Sequence, residues 1–147
     1  MYIKVLQIAV PFVWFGAVVA ISFIEAPLKF HAPGVTLPLG LGIGRLIFFT
    51  LNKIEIVLAL WVLVSFLMLR PKRRSIFYLF AAVVCILVLE TAWLLPVLDV
   101  RAEQVISGTA EPYAAIHVFY IIFDAIKVIL LFALGLSVAK QHLIHEL

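Results

Sequence analysis

The chain has 147 residues, of which 66% are apolar and 13% are charged, and its formal net charge is +3. Soluble domains are about half apolar and about a quarter charged, so this composition excludes an ordinary water-soluble fold. The basic residues gather in one short turn, a pattern that does not indicate a nucleic-acid partner. We expect a single all-α domain, residues 1–147, embedded in the lipid bilayer of a cell membrane such as the bacterial inner membrane.

Four apolar stretches are long enough to cross a bilayer as helices, which takes ~20 residues each. They cover about residues 3–26, 41–69, 75–97 and 112–138. Prolines and glycines between residues 27 and 40 predict an irregular connection, and residues 70–74 form a tight basic turn. Residues 98–111 are expected to include a short helix at the membrane surface. The pattern predicts a four-helix membrane bundle.

The orientation of this bundle follows from its lysines and arginines. The basic turn contains Arg70, Lys72, Arg73 and Arg74. The positive-inside rule predicts that such a turn faces the cytoplasm. Four crossings then place the N- and C-termini in the cytoplasm as well, in agreement with Lys4 and Lys140.

Each predicted span contains one carboxylate: Glu25, Glu55, Glu90 and Asp124. A charge in hydrocarbon is costly, so such residues usually face a protein interior or a water-filled cavity. At a rise of ~1.5 Å per residue, Glu55 and Asp124 lie near the midplane. Glu90 belongs to an outer layer, and Glu25 lies at the outer rim. The acids therefore predict a polar site inside the bundle.

The fourth span carries a polar seam. Its members are Tyr113, His117, Tyr120, Asp124 and Lys127, which are spaced so that they share one helix face. On the second span Arg45, Asn52 and Glu55 also lie on one side, whereas Lys53 points away from Glu55. Toward the cytoplasm the spans are almost entirely apolar apart from Ser65. These positions predict a polar column that opens outward and ends near the midplane.

Two interpretations of this column differ in function. In the first, the cavity binds or moves a small solute or ion with proton or charge coupling. Glu55 and Asp124 are the charged groups near the midplane. Arg45, Glu90 and His117 form the outer gate or contact the ligand. Asn52, Tyr120 and Lys127 orient these side chains. In the second, the protein is a structural or accessory subunit. In this interpretation three acids are balanced by three bases in a network that fixes helix packing. The acids are Glu55, Glu90 and Asp124, and the bases are Arg45, Lys53 and Lys127.

A third interpretation is a membrane enzyme with a metal site. Glu25, Glu90 and His117 are the candidate ligands, a mixed carboxylate and imidazole set. The Glu-x-x-His pairs of di-iron bundles are absent, and no serine has a placed histidine and acid. The sequence therefore indicates no particular cofactor and favours a protein that is not an enzyme. We expect Cys85 to be a small core residue, and a chain this small to act as a homo-oligomer or beside a partner membrane protein.

Three short motifs carry a resemblance to a known family. They are EAPLKF at residues 25–30, GRLIF at 44–48 and LLPVLDVRA at 94–102. Together they resemble the transmembrane-protein-205-like family of small four-pass membrane proteins, which carry a domain of unknown function. The resemblance implies a four-helix membrane bundle. It implies no established activity, so no site residues are carried over from it.

Overall fold

A computed structural model describes residues 2–111 and 115–143 of the chain. Its four long helices are Tyr2–His31, Leu37–Met68, Arg74–Ile106 and Ala115–Leu143, and each is long and apolar enough to cross a membrane. The described ranges contain no strand, which confirms the predicted all-α fold with four apolar helices. The predicted seam residue Tyr113 lies outside the described residues.

The connection between the first two helices is shorter than predicted. The first helix continues to His31 and the second begins at Leu37, so the irregular segment is residues 32–36 instead of 27–40. The Thr36 side chain accepts a hydrogen bond from the backbone N–H of Leu39 and caps the second helix. A proline is tolerated in the first turn of a helix because the N–H groups there have no intrahelical acceptor. Pro38 therefore starts this helix, although we expected it to exclude helix.

Two helices contain π-helical turns just before a proline. These turns are Val19–Glu25 ahead of Pro27 and Glu90–Leu94 ahead of Pro96. Proline lacks an N–H and its ring clashes with the carbonyl four residues earlier, so it disfavours the interior of an α-helix. Pro11 nevertheless lies within the α-helical stretch Tyr2–Val18. The third helix continues through Pro96 to Ile106, so the helix expected within residues 98–111 is present up to Ile106 as an extension of the third helix. The π-helical turns are of a kind common at functional sites, and Glu90 lies in one of them.

The four helices pack around a continuous apolar core. The first helix contacts the second and the fourth, and the third contacts the fourth through its first part and the second through Leu95–Ile106. Core side chains include Trp14, Val62, Ile76 and Leu134. A Cβ at Gly135 would meet the ring of Phe12 at 2.8 Å, so this glycine allows the first and fourth helices to approach closely.

Both described chain ends lie at the same end of the bundle as the basic turn. The Gln7 amide donates hydrogen bonds to the backbone carbonyls of Ser65 and Leu69, and its carbonyl oxygen lies 2.8 Å from His142 Nε2. We call this the terminal end and the opposite one the cavity end. Large apolar side chains cover the outer surface, as expected of helices in lipid. Cys85 lies on that exposed surface, so the prediction of a core cysteine is wrong.

Candidate functional site

The centre of the site is a buried lysine surrounded by three carboxylates. Lys127 Nζ lies 2.9 Å from Glu55 Oε1 and 2.9 Å from Asp124 Oδ1, and it also pairs with Glu90 Oε2. The Trp14 indole N–H donates to Glu55 Oε1 over 2.8 Å. All five side chains are almost completely buried. We call Glu55, Glu90, Asp124 and Lys127 the acidic cluster; with Trp14, it joins all four helices.

The predicted balance of three acids and three bases is wrong. The structure groups the three acids with one base, which gives a formal charge of −2 when all four groups are ionised. Arg45 pairs with Asp99 and Glu103 instead. Lys53 is exposed on the outer surface and has no ion pair among the described residues. Helical spacing correctly predicted that Lys53 points away from Glu55, and among the described residues Lys127 alone pairs with the three acids.

Several oxygens of the acidic cluster have no hydrogen-bond donor within the described ranges. They are Glu90 Oε1 and both carboxylate oxygens of Asp124. Asp124 Oδ1 is within ion-pair distance of Lys127 Nζ, but the contact lacks hydrogen-bond geometry. Buried polar atoms are usually hydrogen-bonded, so these oxygens mark a place that a proton, a water molecule or a ligand can occupy.

Arg45 belongs to an ion pair near the cavity end. Its Nε lies 2.6 Å from Asp99 Oδ1, and its Nη1 pairs with Glu103 Oε2. This pairing links the start of the second helix to the last turns of the third. The predicted outer layer of Arg45, Glu90 and His117 is therefore not formed, because Glu90 joins the acidic cluster and His117 is exposed. The third helix carries Glu90 and Asp99 at different depths, nine residues apart.

Glu25 is also paired within its own helix. Its Oε2 lies 3.4 Å from Lys29 Nζ, one helical turn later. The Lys29 ammonium lies 5.5 Å from the ring centroid of Phe48, over the start of the second helix. Glu25, Glu90 and His117 do not converge, and no group of three metal-ligating side chains is found among residues 2–111 and 115–143.

The two remaining predicted site residues hold neighbouring helices together. Asn52 Nδ2 donates to Thr91 Oγ1 over 2.8 Å, and Thr91 in turn donates to the Leu87 carbonyl. The sequence interpretation did not include Thr91, and a lone threonine inside an apolar span gives little signal of its own. Tyr120 is buried, and its ring packs edge-on against Phe48 with centroids 5.4 Å apart.

A partly open cavity of about 500 Å³ adjoins the acidic cluster at the cavity end. All four helices line it, mainly with apolar and aromatic side chains. Its polar lining includes Ser22, Asp99, Arg101, His117, Tyr120 and Asp124. Asp124 therefore belongs both to the cavity wall and to the acidic cluster. This shared residue connects a solute-sized space to the buried charges.

A second buried polar group lies at the terminal end, where only Ser65 was expected. It consists of Gln7, Ser65, Gln141 and His142, which we call the terminal cluster. Gln141 Oε1 accepts hydrogen bonds from the backbone N–H groups of Lys72 and Arg73. The signal that could have predicted this cluster is Gln7, a polar amide among apolar residues of the first span. Such a side chain needs hydrogen-bond partners inside the bundle.

Comparison of the chain with protein-family models, with curated proteins and with solved structures gives no match. The resemblance to the transmembrane-protein-205-like family therefore stays a prediction. The features that bear on function are the acidic cluster, the cavity beside it and the ion pairs at the cavity end.

Proposed function

We propose that the chain is an integral membrane protein whose cavity binds or moves a small solute or ion, with proton exchange in the acidic cluster. The observation that supports this proposal is the imbalance of charge around Lys127. Three buried carboxylates share one ammonium, and Asp124 Oδ2 has no donor within the described residues. Carboxylates this close cannot all stay ionised in a low-dielectric interior without a further positive charge. A bound proton supplies that charge, and an incoming cation can replace it.

The proposal gives each part of the site a role. Asp124 lines the cavity, so it is the group that meets the solute, while Glu55 and Glu90 lie behind it on Lys127. Lys127 holds the carboxylates together and limits the excess charge. Tyr120 forms the apolar wall of the cavity. The remaining predicted residues act at a distance: Asn52 ties the second helix to the third, and Arg45 and His117 lie toward the mouth.

The proposal also includes an orientation in the membrane. Lysines and arginines are more numerous at the terminal end (Lys4, Arg70, Lys72, Arg73, Arg74 and Lys140) than at the cavity end (Lys29, Arg45 and Arg101). Those of the cavity end have acidic or carbonyl partners. The positive-inside rule then favours cytoplasmic termini and a cavity that opens to the other side.

Infrared difference spectroscopy of the purified protein tests the exchangeable proton without any ligand. Spectra recorded between pH 5 and pH 8 should contain the C=O stretch of a protonated carboxyl group that loses intensity as the pH rises. Asp124→Asn, Glu90→Gln and Glu55→Gln each remove one member of the acidic cluster, so at least one of them should abolish or shift this band.

Glu111→Gln is the matched control, because it makes the same chemical change at an exposed acid outside the acidic cluster. Its spectrum should match that of the native protein in the carboxyl region. A native band that persists unchanged in all three cluster variants would contradict proton exchange in this cluster.

A structural role is the second candidate, and one observation favours it. The acidic cluster and Trp14 join all four helices, as a device that fixes packing would do. Buried ion clusters often add little net stability, so their retention needs a reason. If Glu55→Gln and Asp124→Asn fold normally and leave solute binding and proton exchange unchanged, the acidic cluster has a structural role in place of the proposed one.

A further inference from the structure

Three oxygen atoms on the cavity wall lack a hydrogen-bond partner in the described part of the chain. They are both carboxylate oxygens of Asp124, on a side chain with 0% of its surface exposed, and the Ser22 hydroxyl oxygen. The carboxylate oxygens accept hydrogen bonds only, and the hydroxyl can accept as well as donate. A ligand that donates hydrogen bonds therefore fits this part of the cavity better than one that only accepts them.

The charge around Asp124 selects a positive ligand. Its neighbours in the acidic cluster are Glu55, Glu90 and Lys127, so an anion placed against Asp124 would meet three carboxylates and one shared ammonium. A cation would offset the excess negative charge. The basic groups on the cavity wall do not reverse this preference, since Lys29 pairs with Glu25 and Arg45 pairs with Asp99.

Other charged or titratable groups on the wall lie toward the mouth. Arg101 donates to the Glu111 carbonyl, and His117 is exposed. Tyr120 packs on Phe48 beside Asp124 and is uncharged at neutral pH. Of the two carboxylates that line the cavity, Asp124 is completely buried and Asp99 is 30% exposed, so Asp124 is the deeper one.

The rest of the wall suits an apolar body. Aromatic rings contribute much of it: Phe23, Phe30, Phe48, Phe49 and Tyr120. Lys29 Nζ already lies 5.6 Å from the Phe30 centroid and 5.5 Å from that of Phe48, so these two rings suit the apolar body of a ligand and not a second ammonium. A cavity of about 500 Å³ is within the range of sites for drug-sized molecules.

We propose that the solute is an organic ammonium ion with an apolar or aromatic body. The N–H groups donate to Asp124 and Ser22, and the body packs against the phenylalanines of the wall. When the ammonium binds, a proton leaves the acidic cluster for the solvent, so that the charge of the site is conserved. This inference depends on the proposed function and names the solute class of the same cavity.

Three probes of matched size and shape test the solute class. They are 3,3-diphenylpropylamine, 3,3-diphenylpropan-1-ol and 3,3-diphenylpropanoate, which carry a cation, a neutral group and an anion on the same body. Calorimetric titration into purified protein in uncharged detergent, with titration into empty micelles subtracted, measures each affinity. The amine should bind about ten- to a hundredfold more tightly than the alcohol, because a charged hydrogen bond adds this much. The carboxylate should bind most weakly.

Two further measurements tie this preference to the site. Repeating the amine titration in buffers of different ionisation enthalpy should reveal proton release on binding. Asp124→Asn should reduce the affinity for the amine to that for the alcohol and leave alcohol binding intact, whereas Glu111→Gln should keep the native preference. The comparison of the three probes uses the native protein, so it remains decisive if Asp124→Asn does not fold.

The outcomes separate this inference from the proposed function. If the three probes bind equally, or the carboxylate binds best, the ammonium class is overturned and a solute cavity remains. A preference for the amine that survives in a folded Asp124→Asn protein overturns the assignment of Asp124. If none of the probes binds, both this inference and solute binding at the cavity fail.

Discussion

The acidic cluster and the terminal cluster are both buried in the bundle, the second between the first, second and fourth helices, but their chemistry differs. The terminal cluster consists of neutral amides, a hydroxyl and an imidazole. Within it, the one side chain of Gln7 makes hydrogen bonds to Ser65, Leu69 and His142. In the acidic cluster, three carboxylates compete for Lys127, and some of their oxygens lack donors within the described residues. A satisfied neutral group can serve packing alone. An unbalanced charged group beside a cavity suits a role in binding.

The largest expected effect is that of Lys127→Met. It removes the ammonium from three buried carboxylates while keeping most of the side-chain volume, and breaking such a group costs about 3–5 kcal/mol. Unfolding in detergent should show this loss of stability at pH 8. At pH 5 the loss should be smaller, since protonated carboxyl groups no longer need the ammonium.

Lys140→Met is the control for this substitution, because Lys140 is exposed near the end of the same helix. It should leave the unfolding transition unchanged. If Lys127→Met is as stable as Lys140→Met at both pH values, the acidic cluster does not depend on its only base.

Gln7→Leu should have an intermediate effect and sharpen the contrast between the two clusters. It removes the donor to the Ser65 and Leu69 carbonyls and the acceptor for His142. Leaving buried polar groups unsatisfied costs about 1–3 kcal/mol. The preference for the amine probe over the alcohol probe should not change, because the terminal cluster lies at the other end of the bundle.

Gln104→Leu is the matched control for stability, because Gln104 is exposed. A change in probe preference in Gln7→Leu would show that the two clusters are coupled.

The smallest effect is expected for Lys53→Met. Lys53 belongs to neither cluster and is exposed in the middle of the second helix, so its loss should leave the affinity for the amine probe unchanged. Stability should be equal or higher, because a charged side chain in lipid is unfavourable. Unfolding and light scattering of the purified protein measure the result. Lower stability together with a smaller oligomer would mean that Lys53 contacts a second copy or a partner chain.

Periodicity within single helices predicted much of the site. The spacing of Tyr120, Asp124 and Lys127 predicted a shared face, and the structure buries all three. The carboxylates of the second, third and fourth spans correctly predicted a polar site inside the bundle, since Glu55, Glu90 and Asp124 are buried there. Both results follow from properties that each helix carries alone: its rise per residue, its repeat and the cost of exposing a charge to lipid.

The partners of those acids could not be predicted in the same way. The sequence placed Arg45 in the outer layer and Lys127 in the deep seam, but it did not predict their partners. Arg45 pairs with Asp99, and Lys127 takes Glu90 from the predicted outer layer as well as the deep acids. Periodicity gives the direction of a side chain around its own axis. It gives neither the neighbouring helix nor the relative height of two helices, and both are needed to identify an ion pair.

By itself, the sequence determined four apolar helices and the presence of acids within them, because composition and repeat are local properties. Only the tertiary structure decided the place of Glu90, since its ion pair with Lys127 depends on how the third and fourth helices pack. It also decided that the terminal end is polar, because Gln7 and His142 are 135 residues apart in sequence. Contacts at that separation depend on how the whole bundle packs, which no single segment specifies.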